Sequence, residues 1–196
     1  STPLYSSAAS DVYKRQIQME QALIQFYYYF HTRQHYFLCH DILEEAWKEN
    51  DNFSKQDAIV SLILCATACY HFRRSNFKGA YKSFSKAKQV IKNANKQDQS
   101  QLHLNIQRYL EILDEQMTCV AQQQPFEPIQ LPINADMLNR IQCHYSDYHF
   151  VSSPILNDDI VHHHLLRDRS DVVLARQMAL KDKRYQRIQL DNNKNQ

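Results

Sequence analysis

Glycine is almost absent from this chain: Gly79 stands alone among 196 residues, and prolines number only five. A sheet-rich fold of this length needs many more turn-formers, so composition excludes an all-β protein and points to helices joined by polar turns. The apolar run Ala58–Phe72 is too short to span a bilayer, and no secretory signal is recognisable. The expectation is a cytoplasmic protein with no membrane partner. A dominant charge sign is lacking too, since 23 Lys and Arg oppose 21 Asp and Glu for a net +2. The row Lys78, Lys82, Lys86 at i, i+4 spacing reads as a solvated helix face, so nucleic acid is not expected as a partner. Cysteines are odd in number, at Cys39, Cys65, Cys69, Cys119 and Cys143, and none forms a CxxC pair. They read as reduced core residues of a cytosolic protein.

What is present is helical periodicity, with 43% hydrophobic and 22% charged residues, enough for one domain with a real core. Ser1–Gln16 has no apolar period. Its SSAASDVYKRQ portion looks like a translated sequencing linker, a run found at the ends of unrelated proteins, so a disordered leader outside the core is expected over residues 1–16. A first helix is predicted over Ile17–Phe30. A second is capped by Thr32 and runs to about Glu49. Ser54 and Asp57 read as a capping box for a third helix, Ala58–Phe72, which is apolar nearly all round and belongs at the centre of a bundle. A fourth carries Phe77, Ala80, Phe84, Ala87 and Ile91 at the spacing of a bundle seam. Gly79 lies in its first turn, where glycine costs ~1 kcal/mol relative to alanine and suggests a close approach by another backbone or a ligand. A fifth helix is predicted over Asp98–Gln122. Pro125–Ile133 cannot be helical and reads as an extended strap. Asn134 caps a short helix to about His144, Asp159–Arg167 reads as a further turn, and Ser170 starts a last helix to about Tyr185. The fold expected is all-α: an up-and-down bundle of about five helices over 17–122, then a strap and C-terminal helical extension over 123–196.

Chemistry concentrates in Thr32–Asn50. Tyr36, Phe37, Leu43 and Trp47 define an apolar stripe, and His40 and Glu44 sit inside it one helical turn apart. A buried histidine and carboxylate need partners. One reading is a divalent metal site of His40, Glu44 and, from the neighbouring helix, His71, or Glu44 as general base on a bound water. The other is a structural His–Glu hydrogen bond that fixes two helices in register. Trp47 is read as core before substrate platform. Arg167, Asp168, Arg169, Ser170 and Asp171 read as a surface ion-pair network or as an arginine clamp for an anion. His162, His163 and His164 point in different directions on a helix and are read as solvated, with His164 set apart by the resemblance that follows.

The segments FHTRQHYFLCHDILEEAWK and LILCATACYHFRRSNFKGA resemble the bacterial helical family known as domain of unknown function 309, at His40, Glu44, Trp47, His71, Asn76, Gly79 and Ala80. HLLRDRSDVVLARQMAL resembles the C-terminal extension of its Gram-positive branch at His164, Arg167, Asp168, Arg169, Ser170 and Asp171. The resemblance implies an all-helical bundle. Some members carry the label of predicted metal-dependent hydrolases, which implies catalytic roles for Glu44 and Asp41, a bound divalent ion, and a small-molecule or protein partner. Two departures stand out: Asp41 replaces a signature Glu, and Leu64 replaces an expected Gln. The alternative function is a non-catalytic interaction module in which the His/Glu pair is structural.

Overall fold

The computed structural model describes residues 5–166, with side-chain surroundings from Ser10 onward. Among them the regular structure is all helical apart from an isolated bridge between Leu104 and Ile133. Helix α1 (Tyr5–Tyr28) runs into a π turn (Tyr29–Arg33), followed by α2 (Tyr36–Lys48), α3 (Ala58–Arg73), α4 (Phe77–Asn93), α5 (Lys96–Ser100), α6 (Ile106–Ala121), α7 (Ala135–His144) and α8 (Asp158–Val161). These lie in one compact unit, Ser1–His162. A second unit, His163–Gln196, contributes only the short helix α9 (His163–Leu166) to the described residues. Arg167, Arg169 and the helix expected from Ser170 lie outside them.

The bundle is built around α3, as its all-round apolar pattern requires. It packs on α2 and on α4, α4 packs in turn on α6, and α1 covers α2 and α7. Leu62, Cys65, Ala66, Ala68 and Cys69 are all fully enclosed. A hydroxyl network ties the core crosswise: Ser61 Oγ donates to Ala87 O (2.8 Å) and lies 3.0 Å from the Tyr109 hydroxyl. Residues 74–76 are the whole connection between α3 and α4, too short for anything but an antiparallel return.

The structure differs from expectation at several points. Residues 5–16 are the first turns of α1, because no glycine or proline interrupts Tyr5–Tyr28 and adding a residue to an existing helix costs little. From Ser10 onward the core still begins only at Ala22. Thr32 is not the cap of α2: His35 is, its Nδ1 accepting from the Leu38 amide at 3.2 Å. The Ser54 box is half-formed. Asp57 accepts from Ser54 N but is itself the N-cap residue, and Asp98 supplies the acceptor for Ala58 N at 2.6 Å. The predicted fifth helix is split in two. His103 adopts a left-handed φ of 55°, and Asn105 caps α6 by accepting from Arg108 N. The strap causes the break: Asn105 N donates to Pro132 O and Asn134 N to His103 O, bonds that an unbroken helix could not make.

The strap and residues 145–155 have almost no regular structure, and the first helical junction supplies many of their hydrogen bonds through buried side chains and the His31 carbonyl. Leu131 N donates to His31 Nε2 (2.8 Å), and Val151 N donates to His31 O (3.0 Å). Thr32 Oγ1 donates to His149 O. Gln34 Nε2 donates to Val151 O and Ser153 O while its Oε1 accepts from Ile155 N. Arg73, at the end of α3, lays its guanidinium over the Tyr36 ring (4.8 Å) and donates to Gln34 O (2.7 Å) and Ile160 O (3.4 Å). Arg73 Nε and Tyr36 Oη are left without hydrogen bonds, a cost of ~1–3 kcal/mol each.

Desolvation pushes the His31 pKa down to about 3. The unfolded chain, with an ordinary histidine, therefore binds a proton that the folded chain refuses between about pH 6.5 and 3. The His31 contribution is fully present above that window and is lost as pH falls through it, at up to ~1.4 kcal/mol per pH unit. Denaturant titrations at pH 7 and pH 5 should show the wild type losing ~2 kcal/mol from this group, a loss that His31→Gln removes. His71, also lowered by burial and by Arg74, leaves a smaller slope of the same sign in both proteins.

Candidate metal centre

Helix α2 presents His40, Asp41 and Glu44 at positions i, i+1 and i+4, and one ligand atom from each lies within 4.8 Å of the others. His40 Nδ1 is 3.1 Å from Asp41 Oδ1, and Glu44 Oε1 is 2.9 Å from Lys48 Nζ. The expectation that His40 and Glu44 point into the interior is not met. Their side chains are 29% and 35% exposed, and that of Asp41 is 38% exposed. The reason is the true position of the buried stripe. Tyr36, Cys39 and Leu43 are the enclosed residues of α2, and His40 and Glu44 follow Cys39 and Leu43 by one residue, about 100° round the helix. They sit at the edge of the packed face. There the Glu44–Lys48 pair is half-exposed, and such ion pairs are weak enough for Lys48 to be exchanged for another cation.

His71 lies outside this group. Its Nδ1 is 3.1 Å from Asn76 Nδ2, and the Asn76 Oδ1 accepts from Gly79 N at 3.0 Å. The Gly79 bond fixes which end of the amide faces His71: Nδ2 donates, so Nδ1 of the imidazole accepts. In the neutral ring Nε2 then carries the proton and has no lone pair for a metal. Burial, and then Arg74, lower the His71 pKa and favour that neutral form. His71, Asn76 and Gly79 thus form the joint between α3 and α4.

Residues 23–83 match the family described as Domain of unknown function (DUF309). The uncharacterized protein YpuF of Bacillus subtilis (strain 168) is 30% identical over 171 residues, covering 85% of this chain and 98% of that protein. The chain belongs to the DUF309 family. No solved structure matches it significantly.

The DUF309 span contains the candidate metal group, the His71–Asn76–Gly79 joint, and the donors His31, Gln34 and Arg73 that hold the strap side of the protein. Trp47, read from sequence as a core or binding residue, is half-buried. Its indole Nε1 donates to Asp57 Oδ2 (2.9 Å), and its ring meets Phe53 edge-on at 4.9 Å. It also lines a cavity of about 530 Å³ with Leu23, Asp57 and Asp98. That cavity does not reach His40, Asp41 or Glu44. Sequence reasoning missed His31, Gln34 and Arg73. The available signal was polar residues crowded at a helix junction among aromatics, in FHTRQHYF. Among the described residues no helix is long and apolar enough to cross a membrane.

The single glycine of this DUF309 chain answers to the Asn76 side chain and not to a ligand: a Cβ on Gly79 would lie 2.6 Å from Asn76 Nδ2. Gly79→Ala should therefore fail to stabilise the protein, because the ~1 kcal/mol gain in helix propensity is offset by a displaced cap worth ~0.5–2 kcal/mol. In an Asn76→Ala background the same substitution should be stabilising. Urea denaturation of the two single variants and the double variant reads this sign change directly.

Proposed function

We propose that this chain holds one divalent metal ion through His40, Asp41 and Glu44, and that the ion serves a metal-dependent hydrolysis. The observation that carries the reading is the convergence of an imidazole nitrogen and two carboxylates within 4.8 Å on a half-exposed helix face. The donor set fits such an ion: mixed nitrogen and oxygen ligands suit zinc, manganese or iron, and a partial shell leaves positions open. Bound there, the metal would supply Lewis acidity and a water of lowered pKa. The chain's own residues have separable roles. His40, Asp41 and Glu44 would hold the ion together, and the Asp41 carboxylate beside the His40 ring would also fix the orientation of that imidazole. Lys48, now 2.9 Å from Glu44, would give up that carboxylate to the ion and be the nearby cation for an anionic substrate.

The second reading, a non-catalytic module binding a protein or small molecule, is favoured by the placing of the cavities. Neither the 530 Å³ cavity nor a groove of about 610 Å³ is lined by His40, Asp41 or Glu44. Calorimetric titration of metal-free protein with zinc and manganese separates the readings when paired with turnover of bis(p-nitrophenyl) phosphate and p-nitrophenyl acetate. His40→Ala and Glu44→Gln should each weaken metal binding at least tenfold, and His71→Ala should not. Binding with chelator-sensitive turnover is the expected result. Binding without turnover leaves the module, and no binding by the wild type removes the metal site altogether.

A further inference from the structure

A groove of about 610 Å³ lies between α6, the strap and the start of α7, far larger than a packing defect and within the ~300–1,000 Å³ range of small-molecule sites. Its apolar lining includes Ile112, Leu131, Ile133, Leu138 and Phe150. Tyr148 is one of its lining residues, and the bonding of its hydroxyl decides which proton that hydroxyl offers.

The decision is made behind the groove, at His31. Leu131 N–H donates to His31 Nε2 at 2.8 Å, so Nε2 must carry a lone pair. The ring is enclosed and neutral, so its one proton sits on Nδ1. That proton faces the Tyr148 hydroxyl oxygen at 2.9 Å. Tyr148 is therefore the acceptor in this bond, and its own O–H has no acceptor among the described residues. A half-buried phenol whose oxygen already accepts one bond, and whose proton has no acceptor among the described residues, can donate to a ligand in the mixed polar and apolar groove that Tyr148 lines. Burial raises the Tyr148 pKa to about 12, so the proton stays on the oxygen throughout the physiological range.

The charge at the rim narrows the ligand. Arg108 and Glu115 are the charged residues that line the groove, and they pair with each other at 2.8 Å, with Glu111 also on Arg108 at 3.1 Å. A charged ligand finds no unpaired countercharge there, so a neutral one is favoured. We propose that this groove is a ligand site for a small neutral molecule with an apolar body and one carbonyl-type acceptor, which receives the hydrogen bond of Tyr148. The site is independent of the metal reading: it uses α6, α7, the strap and the 145–150 loop, and none of His40, Asp41 or Glu44.

Benzamide, with an aromatic ring and a neutral carbonyl, is a suitable probe, with toluene as the acceptor-free control and benzoate as the anionic one. In an NMR titration of the full chain, benzamide should shift the amides of Leu131, Ile133, Leu138 and Tyr148 saturably, and bind at least fivefold more tightly than toluene or benzoate. Tyr148→Phe should weaken benzamide at least fivefold and leave toluene unchanged. Leu138→Trp, which fills the groove and leaves the His31–Tyr148 bond in place, should abolish both. Thermal melts confirm that each variant is folded. Should Tyr148→Phe unfold, the wild type's preference among the three probes and the Leu138→Trp result decide the matter. Benzamide binding no better than toluene, unchanged in a folded Tyr148→Phe, or tighter for benzoate overturns the proposal.

Discussion

Everything on the strap side of this protein depends on a few buried polar side chains satisfying backbone that has no secondary structure of its own. A strap and a long loop cannot lie against a helical core unless their amides and carbonyls are bonded, because each buried orphan costs ~1–3 kcal/mol. Here the usual solution, a sheet, is replaced by His31, Thr32 and Gln34 on the junction between α1 and α2, with Arg73 from α3 behind them. The π turn makes this possible by widening the helix where these residues occur. Gln34 then takes a left-handed φ of 49°, which turns its carbonyl toward Arg73. Aromatic rings fill the remaining space: Phe126 of the strap packs edge-on against both Tyr36 and Phe72.

That arrangement also sets where chemistry can occur. The same junction that binds the loop fixes the start of α2 through the His35 cap, and the burial of Tyr36, Cys39 and Leu43 fixes its rotation. His40, Asp41 and Glu44 are thereby held at the border of the packed face, close enough together to share a cation and open enough to exchange it. The other ring nitrogen of His31, Nδ1, donates to the hydroxyl of Tyr148, a residue that lines the groove beside α6. One buried imidazole thus links the folding of the strap to the polarity of a surface groove.

How much of this was legible in the sequence follows from what each feature depends on. Helices α3 and α4 were readable because their patterns are local: Ala58–Phe72 is apolar on every side, and Phe77 through Ile91 repeats a bundle seam. Asn134 as a cap was readable for the same reason. The break at His103 was not, because its cause is the strap some thirty residues later, and no local signal outweighs the helix propensity of residues 98–122. His40 and Glu44 were placed too deep, and the structural His–Glu hydrogen bond is replaced by His40 against Asp41 and Glu44 against Lys48. The count of apolar positions left out Cys39, which is fully enclosed and swings the buried face away from them. Arg73 falls just past the apolar run Ala58–Phe72, where a charge usually marks solvent. Its burial depends on Tyr36, Gln34 and Ile160, which only the folded chain brings to it.

The central claim is that the α1–α2 junction, through its side chains and the His31 carbonyl, holds the strap and loop in place without secondary structure, and native-state hydrogen exchange tests it residue by residue. The amides of Leu131, Val151 and Ile155 lie in irregular chain, yet they donate to His31 Nε2, His31 O and Gln34 Oε1. They should exchange slowly, with protection approaching that of the α3 amides. Gln34→Ala should release Ile155 by at least tenfold while α3 stays protected. Exchange of all three amides at the rate of an open loop in the wild type, or an Ile155 indifferent to Gln34→Ala, would contradict the account.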